Sequence, residues 1–349
     1  MESPLGGDEF APVSTYLNTA ACGLLPRRAV DAVRRLAEDT AAGNERAGGS
    51  LAATAAVRES FARIAGVAAD RVALAGSVAS LTGLVAASLP SGADVLIPER
   101  DFASVVTPFA SRPDLKPRYA PLDGLAEAVR PGTALVALSA VQSADGRVAD
   151  LAAVREAAAA CGARILLDAT QAAGWLPLDA GAYDYTVTSA YKFLLSPRGV
   201  SFLTVGEDAQ EGLRPLAPGL FAAETRDDMY GPLPLATSAR RYDEPPSFLA
   251  YHAAERSLAL VEEIGLPALH AHATGLAARF RTGLVELGHT PVPGDSAIVV
   301  VPGLGGAREA LAAAGVVVSA PAGGLRAAFH LYNAAADVDR ALEALSGVR

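Results

Sequence analysis

Of the 29 basic side chains in this 349-residue sequence, only Lys116 and Lys192 are lysines. Wherever else positive charge is wanted, the chain uses arginine. A lysine set between Tyr191 and Phe193-Leu194-Leu195 therefore points to a property that arginine lacks. Arginine stays protonated in proteins, whereas a desolvated lysine can lose its proton, and a neutral amine attacks a carbonyl carbon. Upstream, the apolar run Ile165-Leu166-Leu167 ends on Asp168, and a second run, Tyr185-Thr186-Val187-Thr188, leads into Ser189-Ala190-Tyr191-Lys192. Two short apolar runs that each end in a polar residue suit adjacent parallel strands buried on both faces. Ligands of such sheets bind at the carboxyl ends of the strands, which is where Asp168 and Lys192 would both stand.

An aspartate and a lysine facing one ligand meet the demand of pyridoxal 5'-phosphate (PLP): the amine forms a Schiff base, and the carboxylate keeps the pyridine nitrogen protonated. The stretch resembles fold-type-I PLP enzymes, and within them the class V aminotransferase family, which includes cysteine desulfurases, selenocysteine lyases, sulfoxide C–S lyases, kynureninases and epimerase-like proteins. The family motif of Asp, then Gln or His, then Ser-x-His-Lys becomes Asp168, Gln171, Ser189 and Lys192, with Tyr191 in place of the histidine. The resemblance runs from Tyr16 to Leu345. It implies an α/β fold, with a mostly parallel seven-stranded sheet flanked by helices in a large PLP-binding domain (51–240). An N-terminal arm and helix (1–50) precede it, and a small C-terminal α+β domain (241–349) follows.

The resemblance also distributes roles. Catalysis falls to Lys192. Cofactor contacts fall to Asp168, Gln171, Ser189 and Tyr191, to Ser77 and Val78 on a phosphate-binding turn, to Phe102 stacked on the ring, and to Ser143 near the phenolic oxygen. Arg326, opening Arg-Ala-Ala-Phe-His-Leu-Tyr-Asn, corresponds to the arginine that grips the substrate carboxylate, and a bidentate guanidinium suits that task. Asn18 and Cys22 lie in the segment that lines the substrate pocket. Desulfurase-type members carry a Gly-Thr that reaches the partner subunit's phosphate, where this chain has Pro245-Pro246.

The elements needed to position these residues are legible as alternation. Helical periodicity covers 27–41, 51–66, 81–89 and 151–161, and short apolar runs cover 71–75, 94–97, 133–141, 165–168, 185–188 and 200–205. Residues 1–14 read as a loose arm, and 207–246 as an irregular stretch that the family sends across a dimer interface. Helices are expected over 248–265, 266–288 and 335–345, and strands over 297–301, 316–319 and 326–331.

Composition narrows the function. The net charge is −9, with no basic cluster to follow a phosphate backbone, which argues against nucleic-acid binding. Hydrophobic residues make up 51% and mean hydropathy is +0.27, yet no apolar run is long enough to span a membrane. The acidic start MESPLGGDEF lacks the features of a signal peptide, so a cytoplasmic protein is expected. Cys22 and Cys161 are far apart with no CxxC, and at a spacing of two on a helix His270 and His272 point apart, so no metal site is expected.

The expected activity is that of a PLP-dependent enzyme, a homodimer acting on a small amino acid through a Lys192 Schiff base and deprotonation at Cα. A desulfurase needs a cysteine on the loop before the carboxylate arginine, and here that loop is Ser319-Ala-Pro-Ala-Gly-Gly324. Among the remaining reactions β-elimination at a C–S bond is favoured. An aminotransferase or epimerase, or a non-catalytic PLP-fold binding module, are the alternatives.

Overall fold

The computed structural model describes residues 3–44, 49–227 and 229–347. Its strands, in chain order, are β1 (Thr15–Tyr16), β2 (Val72–Ala75), β3 (Asp94–Pro98), β4 (Lys116–Ala120), β5 (Thr133–Ser139), β6 (Arg164–Asp168), β7 (Tyr185–Ser189), β8 (Ser201–Val205), β9 (Ile298–Val301), β10 (Val316–Val317) and β11 (Leu325–Ala328). Seven of them form one sheet in the order β2-β8-β7-β6-β5-β3-β4. Every pairing from β4 across to β7 is parallel, and β8 runs antiparallel to both β7 and β2. This is the mostly parallel seven-stranded α/β architecture expected from the sequence.

The central strands are apolar on both faces because both faces are covered. Leu96, Val136, Leu138, Ile165 and Leu167 point into one core, while Val95, Ile97, Leu135, Ala137 and Leu166 point into the other. The alternation follows the period-2 geometry of a strand, and helices packed on each face remove the need for a polar side.

Three local outcomes differ from the sequence expectations. Strand β4 (KPRYA) carries a proline and two charges, and it forms because it is the sheet's edge, where a missing N–H is tolerated. Residues 3–14 are not a loose arm. The Gly6 N–H donates to the Leu331 carbonyl (2.9 Å), Glu9 pairs with Arg28 (2.8 Å), and Phe10 packs on Tyr332 with centroids 5.2 Å apart. The C-terminal strands are shorter than expected, because β10 pairs only with β1 and β11 pairs with β9 as far as Ala328. Among the described residues no helix is long and apolar enough to cross a membrane.

The other edge, β2, is closed by the segment after Arg241. The Glu244 N–H donates to the Leu74 carbonyl (2.9 Å), and the Leu74 N–H donates to the Asp243 carboxylate (2.9 Å). Arg58 supplies the counter-charge, its guanidinium 2.5 Å from Asp243, both side chains being well buried. This stitching fixes the turn that leaves β2. Replacing Asp243 by Ala would leave Arg58 buried without its partner, at a cost of about 3–5 kcal/mol. Chemical denaturation of Asp243→Ala should show a loss of that size, and Asp243→Asn, which keeps an acceptor for Leu74, a smaller one.

Candidate functional site

Five strands deliver their carboxyl ends to one edge of the sheet, and each contributes to one cavity of about 190 Å³. β2 leads to Ser77 and Val78, β3 to Phe102, β5 to Ser143, β6 to Asp168 and Gln171, and β7 to Ser189, Tyr191 and Lys192. All nine line it. The sequence placed these residues together by function, and the register places them together in space. Ser139 of β5 pairs with Asp168 of β6, and Ser189 of β7 pairs with Ser201 of β8, which also pairs with Ala75.

Lys192 is 4% exposed, and its side-chain amine makes no hydrogen bond or ion pair among the described residues. Its Nζ instead faces the rings of Phe102 (5.2 Å to the centroid) and Tyr191 (5.6 Å). Burial brings its pKa down to about 8, opposed by the Asp168 carboxylate and aided by the positive charges of Arg326 and Arg198. At pH 7 about a tenth of such an amine is neutral, whereas an ordinary lysine is almost wholly charged. The backbone that carries it is held by close contact. A Cβ on Gly23 would fall 2.1 Å from the Lys192 carbonyl oxygen, and one on Gly174, already at φ 104°, would fall 2.4 Å from that of Phe193. The Phe193 oxygen is also 2.8 Å from His330 Nε2. A carbonyl can only accept, so that nitrogen carries the proton. Burial pushes the His330 pKa down to about 3, which keeps the ring neutral.

Asp168 is fully enclosed. Burial pushes its carboxyl above the usual carboxylate range, and Asp101 one strand beyond Ser139 pushes the same way. The Thr170 N–H (2.8 Å) and the charge of Lys192 pull it down.

Gln171 donates from Nε2 to the Ala20 carbonyl and to Ser143 Oγ, both at 3.0 Å, while its Oε1 is buried with no partner. Ser77 caps the helix Val78–Ser88 by accepting from the Ser80 N–H (3.1 Å). The first-turn N–H groups of Val78 and Ala79 face the cavity end of that helix, where an anion is favoured. The Val78 side chain itself is core. Ser189 shares a hydrogen bond with Ser201 Oγ (2.9 Å), and its N–H donates to Thr170 Oγ1 (3.0 Å).

Three expected residues stand outside this cavity wall. Arg326, on β11, is 6% exposed, and burial lowers its pKa to about 10. It donates to the Ser143 carbonyl (2.5 Å), to Ser143 Oγ (2.8 Å) and to Ser319 Oγ (3.1 Å), and no carboxylate pairs with it among the described residues. A buried guanidinium held only by neutral oxygens is a site for an anionic ligand. Ser143 thus joins Arg326 to the cavity. Asn18 bridges to Ala328 on the same strand, and its Oδ1 is buried without a partner. Cys22 is half-buried beside Gly23, with its thiol 3.5 Å from the Gly23 carbonyl.

Sequence reasoning passed over Thr170, Ser139, Asp101 and Arg198. The Arg198 guanidinium lies 4.0 Å above the Tyr191 ring, and Arg198 lines the same cavity as Ser77. Asp101, Ser139 and Thr170 make their contacts with neighbouring strands, which a linear pattern does not display.

The donor set fits PLP. An enclosed, partly neutral amine suits the aldehyde, and the carboxyl of Asp168 suits the pyridine nitrogen. A helix start with Arg198 suits the phosphate.

A family model described as Aminotransferase class-V matches residues 15–341. The uncharacterized aminotransferase YcbU of Bacillus subtilis is 29% identical over 234 residues, covering 63% of this chain and 62% of that protein. Isopenicillin N epimerase of Amycolatopsis lactamdurans is 31% identical over 228 residues, covering 58% and 57%. The matched stretch therefore spans about three-fifths of the length of these relatives. Among solved structures, the cystine C–S lyase C-DES in complex with cysteine persulfide superposes with a TM-score of 0.86 at 21% identity, covering 96% of this chain and 98% of that one. The apo cysteine desulfurase of Thermococcus onnurineus NA1 gives 0.82 at 21% identity, covering 95% and 94%. At that identity the structures establish the shared fold.

The depressed pKa of Lys192 can be read directly. Reductive methylation with formaldehyde, followed residue by residue by mass spectrometry, should show Lys192 of the protein without cofactor reaching half its maximal rate near pH 8. Reactivity still climbing beyond pH 10 would contradict the desolvated amine.

Proposed function

The chain belongs to the aminotransferase class-V family, and from that premise we propose that it is a PLP-dependent enzyme acting on a small amino acid, with β-elimination at a C–S bond as its reaction. The observation that carries the reading is the pairing of a buried, partly neutral Lys192 with a buried, carboxylate-free Arg326 on either side of Ser143 and Gln171. One group suits a carbonyl and the other a carboxylate, and an amino acid joined to an aldehyde cofactor presents both demands.

Lys192 is the residue that would hold PLP, and Asp168 would hold the proton of the pyridine nitrogen. Val78 and Ala79 N–H, Ser77, Ser189, Tyr191 and Arg198 would take the phosphate side. Phe102 would cover the ring, and Gln171 and Ser143 the phenolic oxygen. Bound there, PLP supplies an electron sink for the charge left at Cα when its proton is removed. Arg326 orients the substrate through its carboxylate, which places the Cα–H near Lys192. The Lys192 amine would be the base that removes that proton, since no histidine lies in the motif block. Asn18, bridged to Ala328 on the strand of Arg326, would stand toward the carboxylate end of the substrate, and Cys22, whose charge is felt at Lys192, toward the amine. Loss of the β-substituent leaves 2-aminoacrylate, which water converts to pyruvate and ammonia.

The lyase reading is supported by the Ser319–Gly324 loop, which carries no cysteine to accept sulfur as a desulfurase requires, and by the resemblance of the Cys22 segment to sulfoxide lyases. The relatives named aminotransferase and epimerase favour a second reading, in which the same Cα deprotonation ends in transamination or epimerisation. A non-catalytic binding module would have no use for a partly neutral amine beside a carboxyl. The proposed assembly is a homodimer, supported by the exposed Leu216, Met229 and Tyr230 in the stretch the resemblance sends to the partner.

A panel of β-substituted amino acids with no 2-oxo acid present should yield pyruvate and ammonia over many turnovers. A single turnover that resumes only when a 2-oxo acid is added would sink the lyase reading in favour of transamination. Arg326→Lys should raise KM about 10- to 100-fold, with a smaller change in kcat, because it removes charge-assisted hydrogen bonds to the carboxylate.

A further inference from the structure

Asp101 follows β3 and does not line the cavity, yet three donors converge on its carboxylate. The Phe102 N–H reaches it at 2.6 Å, the Ser139 N–H at 2.8 Å and the Ser139 hydroxyl at 2.5 Å. Arg100 just before it holds the left-handed conformation (φ 60°), which is strained for a residue other than glycine. The strained turn and the three hydrogen bonds together fix where the next residue begins. That residue, Phe102, is 43% exposed and lines the cavity, with its ring centroid 5.2 Å from Lys192 Nζ. Ser139 in turn pairs in register with Asp168. Asp101 thus ties the ring, the end of β5 and the neighbour of Asp168 into one unit.

We propose that Asp101 is a positioning residue that acts through Phe102, setting the ring that covers the cofactor's face; this rests on the PLP reading above. A plain capping role for the helix Ala103–Ala110 would accept from the N–H groups of its first turn, and no side-chain cap of that kind is made there. It would need neither the two bonds to Ser139, on a different strand, nor the left-handed Arg100.

The test is a double-mutant cycle on PLP affinity in the cofactor-free protein, read by quenching of the single tryptophan. Trp175 is buried, and its indole N–H donates to the Gln171 carbonyl (2.6 Å), so it reports from beside the cavity. Asp101→Asn and Phe102→Ala should each weaken PLP binding about 10-fold, and the double variant no more than either alone. Losses that multiply to about 100-fold, or an Asp101→Asn affinity within twofold of wild type beside a lowered melting temperature, would overturn the proposal. Ser139→Ala removes one donor and leaves the carboxylate. It serves where Asp101→Asn does not fold, and its smaller loss must vanish in the Phe102→Ala background. Wild-type protein that shows no saturable quenching would remove the PLP reading itself, an outcome that does not depend on any variant.

Discussion

An ammonium group taken out of water with no oxygen to receive it is driven toward its neutral form, and packing alone holds Lys192 in that condition. Two glycines let other segments press against the Lys192 and Phe193 carbonyls, and a neutral His330 lies 2.8 Å from the second of these. Leu195 turns the chain back in a left-handed conformation (φ 55°). The arrangement opposes folding while the lysine remains protonated in the unfolded chain. The sign follows from linkage: the folded pKa lies below the unfolded one, so the opposition is complete below about pH 8 and fades as pH rises toward the ordinary lysine value.

The sheet makes this possible by bringing five strand ends to one edge while both of its faces stay dry. Asp168 and Lys192 come from adjacent strands, so one cavity holds an acid and an amine whose burial shifts their pKa values toward each other. Arg326 arrives from a separate two-stranded sheet and is linked to the cavity by Ser143, whose hydroxyl accepts from both Arg326 and Gln171. Occupancy at the guanidinium is therefore one hydrogen bond away from the group that would face the cofactor.

The burial of Lys192 and Asp168 at adjacent strand ends and the alternation of strands and helices were legible in the sequence, because the central strands β5, β6 and β7 are short apolar runs that end in a polar residue. Strand β4 was not, because Pro117 and its flanking charges are acceptable only at a sheet edge, and a linear pattern does not show which strand will be the edge. The packing of residues 3–14 was hidden for a related reason: Gly6 and Phe10 find Leu331 and Tyr332 at the other end of the chain. Asp101, Ser139 and Thr170 are ordinary polar residues in the sequence. Their importance comes from register across neighbouring strands, which only the assembled sheet supplies.

The central claim is that Lys192 is the amine that binds the cofactor. Its most direct test is the visible absorption spectrum of protein mixed with PLP and freed of excess by gel filtration, with wild type, Lys116→Arg and Lys192→Ala compared at one pH. The account predicts a retained visible band in wild type and Lys116→Arg, and its loss in Lys192→Ala. No band in wild type, or an unchanged band in Lys192→Ala, would contradict it.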